Sequence, residues 1–243
     1  MTAGFPLKAP HTGYIGVGVP RPGARRLLQG RGRYVDDIRL PRMVHVAFVR
    51  SPYAHARIVN IDVSRAAISP GVIRVVSGQE VARLCTPWVG VLTNRKGLKS
   101  APQYPLAVDR ACWQGEAVAA VAAETRAQAE TAAQLIDVEW RELAAVTDPE
   151  TALDPETPVI HPELGDNLAF QCDVDTGDIE KVFATAYKIV EATFHTGRHT
   201  AVPLEPRSII ADFNPAERQL TVYQATQVPY MLQWILAKHF GLP

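Results

Sequence analysis

Apolar and polar positions along this chain follow two different periods. Met43 to Arg50 is dense in β-branched and aromatic residues and predicts a strand. After the Ser51-Pro52 break, His55 to Asp62 alternates with period two and predicts a second strand. Ser64 to Ser69 predicts a short helical turn with Ser64 as its N-cap. Pro70-Gly71 punctuates, Val72 to Val76 predicts a third strand, and Gly78 to Leu84 a short helix. Residues 86–104 read as loop, with a basic tip at Arg95, Lys96 and Lys99. Ala117 to Ala123 is a short, wholly apolar run that suits a buried strand. Thr125 can cap the next helix, where Ala129, Ala132, Ala133 and Ile136 recur at i, i+3, i+4 and i+7. Asp137 to Glu142 alternates again and predicts a returning strand with one wet face.

Two stretches lack either period. Residues 1–24 are rich in proline and glycine and predict an extended N-terminal arm. Residues 146–178 hold four prolines among acidic residues and predict a stiff, extended linker. Beyond it, Asp178 to Ala186 predicts a helix, and Lys188 to Thr196, Ser208 to Phe213 and Gln219 to Gln224 predict strands. Asn214-Pro215 makes the turn between the last two. Val228 to Phe240 predicts a helix with Met231, Ile235 and Leu236 on one face, stopped by Gly241. The fold class is therefore α+β. Its expected divisions are an arm (1–24), a first domain (25–142), a linker (143–177) and a second unit (178–243). That second unit is too small to build a comfortable core, so a C-terminal continuation or a partner chain is expected to complete it.

Composition narrows the classes. The chain has 243 residues with 25 basic and 25 acidic side chains, an ordinary globular balance. No run of 18 apolar residues exists, so no membrane span is expected. The first twenty residues lack a secretory pattern, which predicts a cytoplasmic location. Cys85, Cys112 and Cys172 show no C-x-x-C spacing and cannot supply the four ligands of an iron–sulfur cluster, so they read as free thiols. Charge is uneven: residues 1–65 carry eleven basic and three acidic side chains, residues 116–191 four and seventeen. The basic residues are dispersed and no nucleic-acid motif accompanies them, so no nucleic-acid partner is expected. Gly13, Gly16 and Gly18 do not form a phosphate-binding fingerprint.

Candidate chemistry is sparse. His195 and His199 have H-x3-H spacing, but on a strand-like stretch without the Glu of a zinc helix, which points to surface or packed histidines. Glu116, after Gly115, reads as a solvated or capping carboxylate. Glu205 and Arg207 flank Pro206 and read as an ion pair that orients a loop, with general base the minor alternative. Gln227 stands between a strand and the last helix, where a lone glutamine is normally a cap or turn residue. Composition and periodicity alone identify no reaction.

Three blocks in order carry a resemblance. Gly30-Arg-Gly-Arg-Tyr-Val-Asp-Asp-Ile38 with Phe48-Val-Arg-Ser-Pro-Tyr-Ala-His-Ala-Arg-Ile58 is the first. Pro105-Leu-Ala with Gln114-Gly-Glu-Ala-Val-Ala-Ala-Val-Ala-Ala-Glu-Thr125 is the second. Pro203-Leu-Glu-Pro-Arg207 with Ala225-Thr-Gln227 is the third. Together they resemble the start of the large subunit of the molybdenum hydroxylases: xanthine dehydrogenases, aldehyde oxidases and aerobic carbon monoxide dehydrogenases.

The resemblance implies an α/β hammerhead domain over about residues 25–142, followed by an incomplete portion of a molybdopterin-binding domain. It implies molybdopterin as cofactor in the complete enzyme, with no iron–sulfur cluster or flavin in this chain. Gln227 matches the family's glutamine beside the molybdenum, whose amide hydrogen-bonds an oxygen ligand of the metal. The metal itself is held by the pterin dithiolene, not by side chains.

The implied function is oxidation of a small organic substrate or carbon monoxide, with electrons passed to iron–sulfur and FAD partners. The family's glycine-rich segment and its catalytic glutamate lie beyond residue 243, so no catalytic residue is assigned within this chain. Activity is then expected only with the C-terminal remainder of the subunit. The alternative is a non-catalytic split-gene half, or a truncated product, that only docks to a partner chain. Leu204 in place of the usual Met, and Ala111-Cys-Trp-Gln114 before Gly-Glu, are mild departures.

Overall fold

The computed structural model describes residues 13, 15–90 and 95–242. Most of the predicted N-terminal arm, part of the 86–104 loop and the last residue lie outside these. Helix α1 (Ala24–Leu28) and a 3-10 turn (Val35–Asp37) lead into strands β1 (His45–Arg50) and β2 (Ala56–Asp62). Then come α2 (Ser64–Ala67), β3 (Val72–Ser77), α3 (Gly78–Val81) and the two-residue β4 (Arg110–Ala111). Strand β5 (Ala117–Ala123), helix α4 (Arg126–Ala133) and β6 (Asp137–Glu142) complete the first domain.

Six strands form two three-stranded antiparallel sheets, ordered β1-β5-β3 and β4-β2-β6. The apolar Ala/Val run of β5 occupies the centre of its sheet, where both faces are covered. Val118, Ala119, Val121 and Ala123 are wholly buried. Small residues let α4 approach: Ala132 and Ile136 meet Ala119, Val121 and Val75 in one core. Val49, Ile61 and Val138 pack around it from both sheets. Thr125 caps α4, its hydroxyl accepting the Gln128 N–H while Gln128 reaches back to the Thr125 N–H. Ser64 is not the cap of α2. Val63 holds that position, and the Asp62 carboxylate accepts the Ser64 N–H at 2.9 Å. An aspartate two residues before the serine supplies the acceptor instead.

The acidic stretch does not run straight. Its one regular element is a 3-10 turn (Pro162–Leu164). The Asn167 side chain pins a fold in it: its amide donates to Ala152 and Pro158 carbonyls at 2.9 and 3.0 Å, and its oxygen accepts from Ile160 N–H at 3.0 Å. Lys99, at the predicted basic tip, pairs with Asp166, and its backbone N–H donates to Ala169 O at 2.8 Å. Arg95 stacks over Phe170. Opposite charge on the neighbouring loop overrides the stiffness that proline and like charges impart.

The remaining residues form helix α5 (Ile179–Thr185), strands β7 (Ile209–Asn214) and β8 (Gln219–Gln224), and helix α6 (Pro229–Phe240). The two strands pair as an antiparallel hairpin with Ile209 opposite Gln224. Gly241 ends α6 in the left-handed conformation, φ 60°. Lys188 to Thr196 is not a strand: it forms no regular element and is exposed, with no ladder among the described residues. Composition can favour extended backbone, but a strand also requires a partner edge.

Candidate functional site

The hairpin brings two sequence blocks to one place. Glu205 lies four residues before the start of β7, and Gln227 three residues after the end of β8. Because Ile209 pairs with Gln224, both sit at the open end of the hairpin. Gln227 is exposed, and its side chain makes no hydrogen bond among the described residues. The turn that carries it is set by Thr226, whose hydroxyl accepts the Val228 N–H at 3.1 Å, and by Pro229, which starts α6. Its amide is thus held at a helix entrance and left available as a neutral donor.

Glu205 does not pair with Arg207. Its Oε1 accepts the backbone N–H of Val35 at 2.9 Å, across 170 residues of sequence. Val35 is buried, at 7% exposure, and opens the 3-10 turn that follows α1. A backbone donor wins because it is already fixed, whereas the exposed Arg207 would have to be ordered to make the ion pair. Nothing in the spacing of the chain marks Val35 as a partner.

Glu116 is a turn clamp, as the capping alternative expects. Gly115 takes φ +91°, and its N–H donates to Ser51 O at 2.8 Å. The Ser51 N–H returns a bond to Glu116 O at 2.8 Å, and the Arg50 guanidinium donates to Gly115 O at 2.9 Å. The Glu116 carboxylate accepts the Cys112 N–H at 2.6 Å. The first and second motif blocks are therefore stitched to each other. Burial pushes the Glu116 carboxyl above its ordinary range, against these hydrogen bonds, and burial likewise raises the Cys112 thiol. Arg110 reaches from β4 to Glu163 at 3.5 Å. His55, in the first block, is also structural: it is buried, and its Nδ1–H donates to Ala144 O at 2.7 Å.

His195 and His199 are exposed on an irregular stretch, and no metal-ligating cluster occurs among the described residues. Cys85 and Cys112 are half-buried and Cys172 is exposed, all as free thiols. A concavity of about 640 Å³ runs between β8 and α6 and is lined by Thr221, Val222, Leu232 and Leu236. Thr226 and Pro229 belong to its wall, whereas Gln227 does not line it. A second contact between the two parts of the chain closes the far end of α6. His239 Nδ1 lies 2.9 Å from both the hydroxyl and the carbonyl oxygen of Thr86.

A pterin-metal group fits this arrangement on one side only. The free amide of Gln227 suits a polar group that needs a donor without added charge. Its neighbours from Ala225 to Pro229 are exposed, so such a group would be met from one side only by the described residues.

Comparison with known proteins gives the class. Residues 29–144 match the a/b hammerhead domain of aldehyde oxidase and xanthine dehydrogenase, and residues 160–243 match the molybdopterin cofactor-binding domain. The chain belongs to the aldehyde oxidase and xanthine dehydrogenase family, and carries the hammerhead domain with part of the molybdopterin cofactor-binding domain.

The nicotine 6-hydroxylase large subunit of Paenarthrobacter nicotinovorans is 36% identical over 227 residues, covering 93% of this chain and 28% of that protein. The carbon monoxide dehydrogenase large chain of Hydrogenophaga pseudoflava is 32% identical, covering 90% of this chain and 28% of that one. The crystal structure of quinoline 2-oxidoreductase from Pseudomonas putida 86 matches with a TM-score of 0.85 at 39% identity, over 94% of this chain and 29% of that chain. Reconstituted carbon monoxide dehydrogenase from Oligotropha carboxidovorans matches with a TM-score of 0.77 at 30% identity. The chain thus spans 28–29% of the length of these relatives.

Proposed function

We propose that this chain is the opening part of the molybdopterin-binding large subunit of a molybdenum hydroxylase or dehydrogenase acting on a small molecule. The observation that carries the reading is Gln227: the third motif block places its free amide at the hairpin mouth, beside a complete hammerhead fold. The bound cofactor would supply the two-electron redox chemistry that no side chain here can. Gln227 would present its N–H to that group and orient it without adding charge. The hammerhead domain, proposed over 25–142, would fix the hairpin that carries Gln227. The second unit, proposed over 178–243, would be covered by the C-terminal remainder of the subunit. Iron–sulfur and FAD subunits would take the electrons. The three free thiols support a reducing, cytoplasmic location.

The test is Gln227→Ala in the assembled enzyme. Turnover should fall about 10- to 100-fold, the usual cost of losing a polar group that orients a metal site. The urea midpoint should stay unchanged, because the side chain is exposed and unpaired. Unaltered turnover would remove Gln227 from the site.

A further inference from the structure

The Glu205–Val35 contact joins two parts of the chain that each carry further contacts of their own. Val35 belongs to a 3-10 turn closed by the Asp37 carboxylate, which accepts the Tyr34 N–H at 2.8 Å. That turn is tied to the start of α4 by the Asp36–Arg126 ion pair at 2.6 Å. On the other side, Glu205 stands at the open end of the β7–β8 hairpin, where the register also puts Gln227. From Gln227, α6 runs to His239, whose contact with Thr86 returns to the hammerhead domain. The segment carrying Gln227 is therefore held at both ends, by one acceptor before it and one histidine after it.

We propose that Glu205 is a positioning residue: by accepting the Val35 N–H it sets where the hairpin mouth, and with it the Gln227 amide, stands relative to the hammerhead domain. This rests on the reading of Gln227 given above. A carboxylate suits the task because a charged acceptor bonds a backbone N–H more strongly than a neutral one, and because its short stem leaves little slack. Val35 is buried at 7% exposure, so losing the bond leaves its N–H without the acceptor it has in the fold.

Backbone amide hydrogen exchange on the full chain tests the proposal, comparing Glu205→Ala, Glu205→Gln and Val35→Pro. The glutamine keeps an acceptor oxygen. The proline deletes the donor at a first-turn position that tolerates it. Glu205→Ala and Val35→Pro should each speed exchange across residues 219–232 by about 5- to 10-fold, with β5 unchanged. Glu205→Gln, which keeps a weaker, neutral acceptor, should fall between the parent and Glu205→Ala, and the double variant should exchange no faster than either single one, since both remove the same bond.

Unchanged exchange at 219–232 in Glu205→Ala would overturn the proposal. So would equal acceleration in β5, which marks general destabilisation, or a glutamine variant as fast as the alanine. The readout does not depend on turnover. Unaltered kinetics in Gln227→Ala would sink the functional reading, while the exchange data would judge the tie separately.

Discussion

Glu116 sits in the Gln-Gly-Glu block and has the chemistry of a catalytic carboxylate, yet every contact it makes closes a turn. Its oxygen holds the Cys112 N–H, and its backbone carbonyl holds Ser51. Burial raises its pKa, so the folded state favours the protonated form. That contribution to stability is complete below the unfolded-state value and is lost as pH rises through the higher folded value. Glu116→Gln keeps an acceptor and cannot titrate. The parent should therefore lose stability relative to Glu116→Gln between about pH 4 and about pH 7, read as urea midpoints at the two pH values. A constant difference across that range would contradict the assignment. The capping role of Glu116 was legible from Gly115 before an apolar strand. The partner of Glu205 was not, because a backbone N–H distant in sequence leaves no residue-type signature.

Among elements, those whose burial decides their pattern were the readable ones. β5 and β6 run between the residues that their apolar run and alternation predict, and α4 begins at its predicted cap. Elements fixed by tertiary contact were not readable. The fold in the acidic stretch depends on Asn167 and Lys99, and the 188–196 stretch finds no partner edge among the described residues. Gly78 is a further case, legible as a helix start but not as a point of contact. A Cβ there would lie 1.9 Å from the Ala107 carbonyl oxygen, which is backbone and cannot swing aside. Gly78→Ala should cost about 2–3 kcal/mol, seen as a lower urea midpoint, because overpacking a rigid contact forces backbone shifts. An unchanged midpoint would show that α3 and the 106–107 segment are not in close contact.

At the scale of the molecule, the two halves differ in how well they bury their apolar residues. The hammerhead domain has one continuous core, whereas Phe194, Leu204 and Tyr230 beyond it are 86–95% exposed. Side chains of this kind are what the proposed C-terminal remainder of the subunit would cover. The family was legible from three motif blocks in order, because those blocks encode turns and a hairpin mouth that the fold requires. The substrate was not legible, since the proposed role of Gln227 concerns one wall of a site and a single wall selects nothing. No helix among the described residues is long and apolar enough to cross a membrane. We propose that this chain contributes one side of a molybdopterin site and holds the cofactor only together with the rest of a large subunit. Molybdenum content by elemental analysis tests it most directly, on the chain alone and on the chain joined to the rest of a large subunit. The account predicts about one metal atom per complete subunit and less than about a tenth of that for the chain alone. Near-stoichiometric molybdenum in the isolated chain, or none in the completed subunit, would contradict it.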